Sequence, residues 1–316
     1  MEKNSNLAFV VCLLVFCFTA GNSFAESCNK RIGVSLHPYY SWVKNIVGNS
    51  MDVVPLITPG ADPHTYQPLP ADLANLQKLD AVVVNGLGHD EFVKPMLKAA
   101  DIKDLVVLDT SKGLPLIPVF SYGSVAEENG KNRISYNSHT YISITGSIQQ
   151  IRMIAEELGK LCPEQGGQFR KNSRAYAKRL RLMLAGALAK IDAIDLDSLR
   201  IATVHDGYAY LFQELGIEIT AVVQPRHGIE PGPRQLQDTI KRIKRANVNI
   251  LFTEIDYKKK YLDIIYQETG CRIYSLSHIS NGEYTAERFE NGMRDNLNDI
   301  IQALTMAGKA HDDTSK

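Results

Sequence analysis

Four short apolar runs in the first half of the chain, RIGVSL, DVVPLI, AVVVNG and DLVVLD, alternate with segments whose apolar residues recur at three and four. Runs this brief, rich in valine and isoleucine, are strands, and the intervening segments around 41–47, 71–79 and 91–99 are helices. Strands joined through helices must run parallel, because a parallel neighbour is reached only by a crossover. From Leu199 the pattern starts again: RIATV, ITAVV, NILFTE and RIYSL as strands, with helices near 208–215, 233–246, 258–269 and 286–307. The expected fold is α/β, with two βα lobes that each carry a parallel sheet.

Between the lobes the spacing is helical throughout. Residues 147–161 have helical periodicity that stops at Cys162-Pro163, and residues 168–194 contain no proline and one glycine, Gly186. Tyr176, Leu180, Met183, Leu184, Ala187, Leu188 and Ile191 recur at three and four along this second stretch. A helix of that length would reach roughly 40 Å, enough to cross both lobes and to limit hinge closure. Residues 116–136 lack periodicity and carry Pro118, Gly123, Asn129 and Gly130, the composition of a surface loop over the mouth of the first lobe.

The N-terminus reads as an export signal. Lys3 precedes residues 7–20, in which only Thr19 is not apolar, a run shorter than the roughly 20 residues that span a bilayer. Ser23 and Ala25 occupy the small-residue positions of a cleavage site, so cleavage is expected after Ala25. The division is then a signal peptide at 1–25, a first lobe at 26–146, a helical region at 147–197 and a second lobe at 198–316. Lipid anchoring through Cys17 or Cys28 is the less favoured alternative, because Phe16 before Cys17 and Glu26 near Cys28 fit an acylation motif poorly. Three cysteines follow the cleavage point, Cys28, Cys162 and Cys271. Their odd number predicts one disulfide and a spare thiol, with no pair singled out. Lys+Arg and Asp+Glu balance at 35 each, which leaves no electrostatic footprint for nucleic acid.

Eight histidines carry the chemical signal. In open parallel sheets ligands bind beyond the carboxyl ends of strands. His64, in GADPHTYQP, follows DVVPLI through a turn; His205 directly follows RIATV; His278 lies two residues past RIYSL. His139, in YNSHTYISI, stands where the chain crosses between lobes. Imidazoles converging from these positions suit zinc, whereas manganese or calcium would add carboxylates. Pro63 stiffens the approach to His64, and Asp206 beside His205 and Asn137 before His139 are candidate acceptors for the rings' second nitrogens. His89 and His227 are weaker candidates for the same cleft, while His37 reads as structural and His311 as part of the tail. Glu254, at the end of NILFTE, is placed to orient a ligand or to bind directly, or to serve only as a strand-end carboxylate.

The stretch GADPHTYQPLPADLANLQKLDAVVVNGLGHDEF resembles the first signature of the metal-binding solute receptors of ABC transporters, the zinc and manganese cluster of periplasmic binding proteins. The resemblance continues through NSHTYISI, VHDGYAYLFQELGI, NILFTE with KKKYLDIIYQETG, and MRDNLNDIIQAL, so it covers nearly the whole chain in order. It implies a receptor that captures a transition metal and hands it to a membrane permease. The family's first three ligand positions match His64, His139 and His205, and histidine at the third resembles its zinc-preferring branch. At the fourth, where members often carry aspartate, this chain reads LSHIS: Ser277 takes the acidic position and His278 stands beside it. Either His278 substitutes or water completes the coordination, with a carboxylate such as Glu254 as a further candidate.

The expected function is therefore zinc capture outside the cytoplasm by a monomeric receptor that docks on an ABC permease. Manganese, iron or a chelate complex is the alternative cargo. A zinc hydrolase is the competing class, since three histidines and an open position also describe catalytic zinc. No H-E-x-x-H motif supplies a general base, which argues against it.

Overall fold

The computed structural model describes residues 28–314 apart from 62, 64–65, 120–125, 129–130, 134, 224–231 and 256. The first sheet consists of β1 (Arg31–Val34), β2 (Asp52–Pro55), β3 (Ala81–Val84) and β4 (Val106–Asp109), ordered β2-β1-β3-β4 with every neighbour parallel. Helices α1 (His37–Val47), α2 (Pro70–Leu76) and α3 (Val93–Ala100) make the connections. All four residues of β3 are buried, as a central parallel strand covered on both faces requires.

The stretch expected to be a featureless loop is instead partly paired. β5 (Pro118–Val119) and β8 (Ser135–Tyr136) run antiparallel, as do β6 (Ala126–Glu128) and β7 (Lys131–Arg133). Strands of two or three residues are too short to produce a readable alternation.

Two helices follow, α4 (Ile144–Leu161) and α5 (Pro163–Ile191). Ser143 caps α4 by accepting from Gly146 N at 3.0 Å. Glu214, from the second half of the chain, accepts from Ile144 N at 2.7 Å and Thr145 N at 2.9 Å, so a carboxylate sits at the positive end of α4. Pro163 suits the first position of α5 because it has no N–H to leave unpaired, and it separates the two helices. The expected apolar stripe of α5 is buried at Tyr176, Leu180, Ala187 and Ile191, but Leu188 is exposed. The stripe is narrower than the spacing suggested because the helix packs only through its inner face, against α4, α1 and α9 (Arg288–Thr314).

The second sheet repeats the first: β9 (Ile201–Thr203), β10 (Ile219–Val222), β11 (Ile250–Glu254) and β12 (Arg272–Leu276), ordered β10-β9-β11-β12 and parallel, with α6 (Ala209–Glu214), α7 (Pro233–Arg245) and α8 (Lys259–Thr269) between strands. Alternate strand residues face different cores. Ala81 and Val83 join Ile201, Ile250 and Phe252 in one large cluster, whereas Val82 and Val84 face a local cluster with Leu76, Phe92 and Met96, and Ala202 and Leu251 face another. The large cluster therefore runs through the inner faces of both sheets and the helices between them.

Two further connections bind the halves. Ser41 Oγ in α1 donates to Thr285 O at 2.7 Å, Asn45 Nδ2 donates to Ala286 O at 2.8 Å, and the Trp42 ring meets Phe289 edge-on at 5.2 Å. A disulfide joins Cys28 to Cys162, with Cα atoms 6.2 Å apart, and Cys271 is a buried free thiol. The Cys28 sulfur is thus engaged in the bond to Cys162. Because the bond closes a segment of 134 residues, it should contribute roughly 2–4 kcal/mol. Replacing both cysteines by alanine is expected to lower the urea midpoint accordingly, with little change in far-UV circular dichroism.

Candidate metal centre

Asn137 fixes His139. Its Oδ1 accepts from the His139 backbone N–H at 2.9 Å and lies 2.9 Å from Nδ1, which assigns the ring proton to Nδ1 and leaves Nε2 as the basic nitrogen. Asn137 Nδ2 donates to Asp206 O at 2.6 Å, and Asn85 Nδ2, just past β3, donates to Ser138 O at 2.9 Å. The segment carrying His139 is therefore tied to both halves of the molecule.

His205 emerges from the carboxyl end of β9 and precedes a single 3-10 turn at Asp206–Tyr208. Its Nδ1 lies 2.7 Å from Glu254 Oε1 at the end of β11, the strand beside β9. Of the two carboxylates expected to orient a ligand, Glu254 is the one beside this ring; Asp206 contributes its backbone carbonyl to Asn137.

His278 follows β12. The residue before it, Ser277, is held by Asn296 of α9 through two hydrogen bonds, N to Oδ1 at 2.7 Å and O from Nδ2 at 2.8 Å. The residue after it, Ile279, is fully buried in the left-handed region at φ 59°, a costly conformation for a β-branched side chain. The strained turn and the asparagine clamp together aim His278 at the other two rings.

The ligand nitrogens of His139, His205 and His278 all lie within 4.8 Å of one another. Ring centroids are 5.2 Å apart for His139 and His205, 5.3 Å for His139 and His278, and 4.5 Å for His205 and His278. His139 and His205 are buried, and His278 is half-buried. Tyr208 stands beside His278 at 5.0 Å with its hydroxyl donating to Leu276 O at 2.7 Å. Three imidazoles in this arrangement could hold a metal ion, and nitrogen donors are the kind a late first-row divalent ion takes.

His64 lies outside the described residues, as does His227, and the side chain of His311 is also outside them. His89 is buried 4.8 Å from His139 by ring centroid, but its Nε2 is hydrogen-bonded to the Tyr141 hydroxyl at 2.7 Å and it is not part of the three-histidine group. Glu254 could have been paired with His205 in advance only by placing β11 next to β9.

His37 is structural. It opens α1, donates from Nε2 to Gly282 O at 2.8 Å and stacks on Tyr284 at 3.8 Å with the rings nearly parallel. Burial pushes its pKa down to about 4, with the nearby Arg288 guanidinium acting in the same direction against the hydrogen bond to Gly282. The folded protein thus binds fewer protons than the unfolded chain between about pH 4 and 6.5. Stability contributed by neutral His37 is complete above this window and is lost as pH falls through it. Urea unfolding across the window should show that loss, and His37→Gln should flatten it.

Residues 32–303 match the family described as "Zinc-uptake complex component A periplasmic", and the chain belongs to that family. This is a family of substrate-binding receptors of ABC importers, not of enzymes. Among solved structures the chain is similar to the SBP FpvC of Pseudomonas aeruginosa in complex with Mn2+, at 43% identity and TM-score 0.81, covering 89% of this chain and 100% of that one. The Ni2+ complex of FpvC matches at 42% identity and TM-score 0.80, covering 89% and 98%. The iron ABC transporter substrate-binding lipoprotein MtsA of Streptococcus pyogenes serotype M1 is 25% identical over 302 residues, 93% of this chain and 95% of its own length.

Proposed function

We propose that this chain captures a transition-metal ion outside the cytoplasm with His64, His139, His205 and His278, and delivers it to the permease of an ABC importer. Zinc is the proposed cargo, and the convergence of three imidazole nitrogens within 4.8 Å carries the reading. Neutral nitrogens bind zinc well without a carboxylate in the first coordination sphere, and the Glu254 carboxylate lies one shell out, where it strengthens His205 as a ligand. Manganese, nickel or iron is the second reading, supported by the metals that accompany FpvC and MtsA.

The proposed division of labour is a signal peptide at 1–25, lobes at 26–146 and 198–316, and the helical region at 147–197 between them, with the receptor acting as a monomer. MtsA is a lipoprotein, which favours lipid anchoring over the release by cleavage after Ala25 that the sequence favours, and with Cys28 in a disulfide the proposed anchor is Cys17. Mass spectrometry of the mature N-terminus distinguishes the two.

The deciding experiment is metal content and competitive zinc affinity of the mature protein beside His64→Ala, His139→Ala and His205→Ala. Each variant is expected to lose more than the roughly 10–100-fold that removal of an outer hydrogen-bonding partner costs. Equal affinity in all four proteins would refute the site. Because protons compete for imidazole nitrogen near an ordinary pKa of about 6.5, zinc affinity should fall markedly from pH 7 to pH 5, as measured by competition with a chelator of known pH dependence.

A further inference from the structure

Gly207 is the middle residue of the turn that follows His205, and its backbone gives no reason for it to be glycine. The glycines with positive φ, such as Gly86, Gly216 and Gly270, do not include it, so an alanine could adopt its conformation. What distinguishes the position is the space beside its Cα. A Cβ there would lie 2.4 Å from His205 Nε2, 2.7 Å from His205 Cε1 and 2.9 Å from His278 Nε2. Real Cβ atoms do not approach other heavy atoms so closely; the His205 ring is held by Glu254, and the backbone that carries His278 is fixed on both sides by the clamped Ser277 and the strained Ile279.

Building on the metal-receptor reading above, we propose that Gly207 is the positioning residue that lets His205 and His278 close on one ion. With no side chain at 207, the Nε2 edges of both rings settle over the turn and approach each other from β9 and β12. Any larger residue drives the rings apart. The ion then loses one nitrogen or binds in a widened site.

The test uses the mature protein, its Gly207→Ala variant and a control, Gly186→Ala in α5, where a Cβ meets nothing within 4 Å. Metal-free melting temperature and competitive affinities for Zn2+ and Ni2+ are measured for each. The expected result is that Gly186→Ala binds as the native protein does, whereas Gly207→Ala, whose Cβ must displace one or both rings, binds both ions roughly tenfold or more weakly. Native-like affinity in Gly207→Ala would overturn the inference and leave the receptor reading standing. Absence of tight binding in the native protein would overturn that reading and the inference with it. Should Gly207→Ala melt lower, adding it to the His205→Ala/His278→Ala double variant, which removes both rings the Cβ would meet, is expected to leave that variant's melting temperature unchanged. A deficit persisting when both rings are absent would assign Gly207 to backbone geometry and overturn the inference.

Discussion

One apolar core runs from Ile32 and Val83 in the first sheet through Trp42, Ile151, Phe169 and Tyr176 to Phe252 and Phe289, and the rest of the architecture depends on it. Each sheet contributes one face to this shared core and keeps a smaller cluster on its other face. Separating the two halves as rigid bodies would uncover large side chains at about 1.5–3 kcal/mol each. The helices α1, α4, α5 and α9 therefore set a fixed frame, and the carboxyl ends of the strands meet within it.

The candidate metal centre depends on that frame, because its three described histidines come from three separate places in the chain. His139 is bound to the first half through Asn85 and Ser138 and to the second through Asn137 and Asp206. His205 is oriented across neighbouring strands by Glu254, and His278 by an asparagine in the last helix. None of these contacts is local in sequence. The site is set in place by tertiary structure, with outer partners for the rings already formed.

Much of the fold could be read from the sequence because its signals are local. The eight strands of the two four-stranded sheets, most of them rich in valine, isoleucine or threonine, and helices with clear periodicity stand out in the chain order that the structure adopts. Asn137 could be anticipated as the partner of His139 because the two residues are close in sequence. The clamp on Ser277 by Asn296 could not be, because the two residues lie 19 apart and meet only through the packing of α9 against β12. Glu254 could not be matched to His205 without the strand order, and the Cys28–Cys162 pairing could not be chosen among three cysteines without tertiary geometry. Leu188 was misjudged because periodicity marks a face of a helix but not how wide a strip of it is covered. The paired segments between 118 and 136 are too short to leave a pattern.

The disulfide also orders events in time. Thiols remain reduced in the cytosol and are oxidised after export. While the chain is still on the inner side of the membrane, nothing covalent joins Cys28, near the start of the described chain, to Cys162 at the junction of α4 and α5. A chain exported through the proposed signal would therefore cross the membrane before this 134-residue segment is closed. Oxidation then fastens the first residues to the central helices. The bond thus acts as a one-way latch that closes in the compartment where the metal is to be captured.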